Sequence, residues 1–79
     1  MKPEEFAQRF FDTAAEMGCS LTEKGNIICK GGKNLSRGKV ARMWQRYGEL
    51  CMSDAKKEFK NDTHGLKQFR QIAERTLQA

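Results

Sequence analysis

Lys39, Arg42, Arg46, Glu49, Ser53, Lys56 and Lys60 recur at alternating steps of three and four. With 3.6 residues per helical turn, that spacing lines them along one side of a helix. Five of the seven are cations and only Glu49 is an acid. A solvated helix face is commonly charged, but with mixed signs that pair at i,i+4. A mostly positive row instead suits phosphate oxygens, since each phosphate neutralised releases condensed counterions. The expected chemistry is therefore backbone contact with nucleic acid, or docking on an acidic protein surface. Base reading is not expected, because no Asn or Gln lies among the basic positions, although Gln45 is adjacent.

The segment before this row adds cations and glycines: Lys30-Gly31-Gly32-Lys33-Asn34-Leu35-Ser36-Arg37-Gly38-Lys39. Glycines let backbone N–H groups approach an anion, and a following helix start carries partial positive charge. The stretch is not a nucleotide-binding P-loop, which needs glycine where Lys33 stands and Ser or Thr where Val40 stands. The contact set for nucleic acid or an acidic partner is thus Lys30, Lys33, Arg37, Lys39, Arg42, Arg46, Lys56 and Lys60. Phe10 and Phe11 form a second candidate surface, for a protein partner. Phe11 lies beside the Phe6/Phe10 row, where a partly exposed ring would mark a contact or dimer seam.

Other chemistries find little support. A helix-turn-helix centred on Gly48 puts bulky Trp44 where a small residue packs, and Glu49, Asp54 and Lys57 at apolar positions. Centred on Gly18, it puts Gly25 and Asn26 inside the recognition helix. Cys19, Cys29 and Cys51 are widely spaced and His64 stands alone, so no four-ligand zinc site and no cofactor is expected. No Ser, Cys or carboxylate can be set beside His64, and the chain reads as non-enzymatic.

The formal charge of +5 is unevenly placed: residues 1–29 carry −2, residues 30–60 carry +6 and residues 61–79 carry +1. Such a one-sided field raises the on-rate of polyanions. Met1-Lys2-Pro3-Glu4-Glu5 lacks the apolar run of a signal peptide, and no segment suits a membrane span. A cytoplasmic protein with free, mostly buried thiols is the reading that follows. Size, cysteines and basic middle are of the sort seen in small phage or plasmid accessory proteins, a likeness of composition and not of motif. A regulatory accessory protein, or an adaptor or inhibitor acting on a protein or nucleoprotein, fits that description.

Seventy-nine residues allow a single domain over 1–79, and homodimerisation is one way so short a chain buries more surface. Pro3 at the first turn, Glu4 and Glu5 behind it, and the stripe Phe6, Phe10, Ala14, Met17 predict a helix ending at Gly18. Cys19, Leu21 and Ile27-Ile28-Cys29 around Glu23-Lys24-Gly25-Asn26 predict a two-stranded hairpin. Lys30 to Asn34 reads as a linker, with Asn34 or Ser36 capping a helix from Arg37 to about Lys60. Val40, Met43, Trp44, Tyr47, Leu50 and Cys51 form its inner side. Gly48 and the cap-like Ser53-Asp54 allow a break near Met52. Asp62 or Thr63 then caps a helix to Leu77, with Leu66, Phe69, Ile72, Ala73 and Leu77 inward. The expected fold is α+β and mostly helical, α-β-β-α-α, three helices with a small hairpin packed on them.

Overall fold

The computed structural model describes residues 1–29, 34–47 and 52–78. Lys30, Lys33, Gly48, Glu49, Leu50 and Cys51 lie outside them, as does the side chain of Tyr47. The order is α1 (Pro3–Glu16), β1 (Ser20–Leu21), β2 (Asn26–Ile28), β3 (Asn34–Ser36), α2 (Arg37–Tyr47), α3 (Met52–Glu58) and α4 (Thr63–Gln78). The mostly helical α+β expectation stands, with two corrections. The described residues hold four helices where three were expected, and three strands where two were expected.

α1 starts on Pro3, with Glu4 and Glu5 in the first turn opposing the positive end of the dipole. It ends in a Schellman motif: Gly18 takes φ of 91°, its amide donates to the Ala15 carbonyl and the Cys19 amide reaches back to Ala14. Gly18 is needed there because a side chain strains this left-handed backbone. The motif turns the chain sharply into β1.

The hairpin closes through Thr22 and Asn26, whose backbones bond at 2.8 Å while Thr22 Oγ1 accepts the Asn26 amide at 3.0 Å. Gly25, at φ of 80°, supplies the left-handed residue of the loop 23–25. β2 is the central strand, antiparallel to both neighbours, with Leu21 opposite Ile27 and Ile27 opposite Leu35. β3 falls where the end of a linker, Asn34, and the approach to a helix cap at Ser36 are expected from the sequence. Pairing with β2 and burial of Leu35 make it a strand.

The same register explains Cys19 and Cys29. Thr22/Asn26 is a hydrogen-bonded pair, so alternate pairs outward from it, Leu21/Ile27 and Cys19/Cys29, are non-hydrogen-bonded. Their Cα atoms lie 4.5 Å apart, the close spacing of such pairs, and the two cysteines form a disulfide. Free thiols at these two positions, expected above, are thereby corrected.

The remaining caps follow the sequence. The Lys39 amide donates to Ser36 Oγ at 3.0 Å at the start of α2, and the Gly65 amide to Asp62 Oδ1 at 2.8 Å at the start of α4. The core draws Phe6, Phe10 and Ala14 from α1 against Val40, Met43 and Trp44 of α2 and Phe69, Ile72 and Ala73 of α4. Trp44 stacks on Phe6 with centroids 4.2 Å apart and planes 1° from parallel. Leu77 is 54 % exposed, against expectation, and Thr76 is buried instead. Phe69, Ile72, Ala73 and Thr76 define the inward stripe, and Leu77 lies about 90° around the axis from its centre. The Thr76 hydroxyl donates to the Ile72 carbonyl, so its burial leaves no polar atom unpaired.

Candidate polyanion interface

Where α2 ends determines where the cations point. Val40, Met43 and Trp44 face the core. Lys39, Arg42 and Arg46 fall on another flank and, with Met43, Asp54 and Glu58, line a cleft of about 260 Å³. α3 restarts the chain after the break and turns Asp54 and Glu58, one turn apart, toward this row. On its own axis, Ser53 and Lys56 lie about 150° from Asp54 and Glu58. The single row of the sequence therefore divides. Lys39, Arg42 and Arg46 meet acids across a cleft, and Ser53 and Lys56 face away from it.

Lys39 forms a salt bridge with Glu58, both side chains being about two-fifths exposed, at 42 % and 38 %. Arg46 and Asp54 are engaged as well. Arg37 is held by α1: its guanidinium carbon lies 5.4 Å from the Phe11 centroid, and Nη1 donates to Gln8 Oε1 at 3.3 Å. It serves as a brace between α1 and α2. Arg42, Lys56, Lys57 and Lys60 are exposed and form no ion pair with any described residue. Four exposed acids, Glu4, Glu5, Asp12 and Glu16, lie on α1, where Arg9 is the one exposed cation.

Phe10 and Phe11 are corrected as a partner surface. They are 0 % and 2 % exposed, Phe10 lying against Phe69 and Phe11 packing edge-on to Phe10 beneath Arg37. Lys30 and Lys33 belong to the residues not described. Sequence reasoning left Asp54 and Glu58 out of the site. The signal was present in Ser53-Asp54: a new cap restarts the helix and resets which residues face which neighbour.

Because exposed ion pairs contribute little, Glu58→Gln is expected to change stability by less than about 1 kcal/mol in urea unfolding. It also removes one negative charge beside the α2 cations. At a spacing of about 7 Å in water that is worth about 0.6 kcal/mol, so polyanion affinity should rise about threefold in a titration at low salt. Weaker binding would mean that Glu58 serves to position Lys39.

A wider hollow of about 510 Å³ lies between the ends of α1 and α4, lined by Met17, Gln71, Glu74, Arg75 and Gln78. Its charges are of both signs. Among the described residues, no group of three or more His, Cys, Asp or Glu converges as a metal site requires. No helix among them is long and apolar enough to cross a membrane. Comparison with known protein families, curated proteins and solved structures finds no match.

Proposed function

We propose that this chain is a non-enzymatic nucleic-acid-binding accessory protein of the cytoplasm that contacts the phosphate backbone through α2 and α3. The observation that carries the reading is the set Arg42, Lys56, Lys57 and Lys60: four exposed cations on two consecutive helices and the turn that follows them, without ion pairs to described residues. Lys39 joins when phosphate competes for it with Glu58, and Arg46 adds a further cation from the same cleft. Lys30 and Lys33 supply further charge from the glycine segment. Contacts of this kind position a protein on the backbone and carry little sequence information.

The test is duplex-DNA binding measured across salt concentration. With about four phosphates neutralised, log K is expected to fall with log[salt] at a slope of about −3.6. A slope shallower than about −1 removes the reading.

A second reading, docking on an acidic protein or nucleoprotein surface, is favoured by one feature. The cleft sets Lys39, Arg42 and Arg46 of α2 against Asp54 and Glu58 of α3, a pattern that a protein surface carrying some cations among its acids can complement and a uniform polyanion cannot. Retention of a protein partner in a pull-down after nuclease treatment selects this reading. Homodimerisation is compatible with either and is read from sedimentation.

A further inference from the structure

The cysteine pair is independent of the proposed function. The register places Cys19 opposite Cys29, and the pair joins the residue that leaves α1 to the residue that follows the central strand. Cys29 is 1 % exposed, whereas Cys19 is partly exposed. Access is therefore one-sided. We propose that Cys19 and Cys29 are a reversible thiol–disulfide site whose reactant is a low-molecular-weight thiol–disulfide couple entering at Cys19.

On reduction, a thiolate RS⁻ attacks Cys19 Sγ, the protein S–S bond breaks, and Cys29 leaves as a thiolate that takes up a proton. A second RS⁻ then attacks the R-side sulfur of the mixed disulfide, forming RSSR and releasing Cys19 as a thiolate that takes up a proton. The balance is one protein disulfide and two RSH giving two protein thiols and one RSSR, and oxidation runs the same steps backwards. Cys19 stands at the C-terminal end of α1, where the dipole opposes negative charge, and the chain has no C-x-x-C. The pair thus behaves as a slow staple and not as an oxidoreductase. Its state sets stability, because the bond restricts the unfolded chain over a short loop: the separation is 10 residues.

The full chain is equilibrated in glutathione buffers of graded thiol-to-disulfide ratio, denatured, alkylated and weighed. Labelled cysteines are expected to fall from three to one as the buffer becomes oxidising, peptide mapping assigning the remaining label to Cys51. The melting temperature should rise by roughly 10–15 °C along the same curve. Three labels at every ratio, a bond to Cys51, or an unchanged melting temperature overturns the proposal. In Cys29→Ala, glutathione disulfide should leave a mixed disulfide on Cys19, while in Cys19→Ala the buried Cys29 stays unmodified. The reverse pattern overturns entry at Cys19. The wild-type label count decides even if a variant does not fold.

Discussion

Phe10→Ala is expected to remove about half of the folding free energy. The ring is fully buried, with centroids 5.9 Å from Phe6, 5.6 Å from Phe11 and 5.1 Å from Phe69. It is the side chain through which α1 meets both its own aromatic row and α4. Truncating a buried phenylalanine costs about 3–5 kcal/mol, from lost transfer energy and the cavity left behind. A chain of this size has roughly 4–12 kcal/mol in all. Urea unfolding followed by far-ultraviolet circular dichroism should show a midpoint far below wild type with an unchanged slope. A loss under about 1 kcal/mol would show that the ring is not enclosed by packed neighbours. Phe11→Ala should cost less, since one face of that ring is covered by the exposed Arg37.

The second large effect is on binding. Replacing Arg42, Lys57 and Lys60 together by glutamate removes three of the four exposed cations and puts three carboxylates in their place. Each lost phosphate contact takes about 0.9 from the salt slope, so the slope should shrink from about −3.6 to about −0.9 or shallower. Affinity at about 0.1 M salt should fall at least about a hundredfold, since three counterion-releasing contacts are exchanged for repulsion. Lys67→Glu, Arg70→Glu and Arg75→Glu on α4 change the net charge equally and are the control. Equal loss in both variants would mean that total charge, and not a surface on α2 and α3, drives association. The triple variant should retain its fold, because all three residues are exposed.

The parts of the fold legible in the sequence are those specified by local chemistry. Pro3 and Gly18 bound α1, Ser36 and Asp62 cap α2 and α4, and Gly25 marks the hairpin. Trp44 was placed inward by its spacing from Val40, and it is buried. What was missed depends on partners distant in the chain. β3 exists because β2 offers it an edge, and the Cys19–Cys29 pairing needs a register that spacing alone does not supply. The candidate site was half legible. Steps of three and four group Lys39, Arg42 and Arg46 correctly on α2, but one helix period cannot be carried across a break. Once α3 restarts, Asp54 and Glu58 take the place beside the row that continuous numbering assigned to Ser53 and Lys56. Phe11 failed for a related reason: its cover comes from Arg37, 26 positions away in the chain.

The flat stack of Trp44 on Phe6 has an optical consequence. Trp44 is the only tryptophan, it is nearly sealed from water, and its Nε1 donates to the Met1 carbonyl at 3.2 Å. Its emission should be blue-shifted in the native protein and move to the red when the first helix lifts from the second. The molecule therefore carries its own spectroscopic gauge of that seam, readable at micromolar concentration without a label.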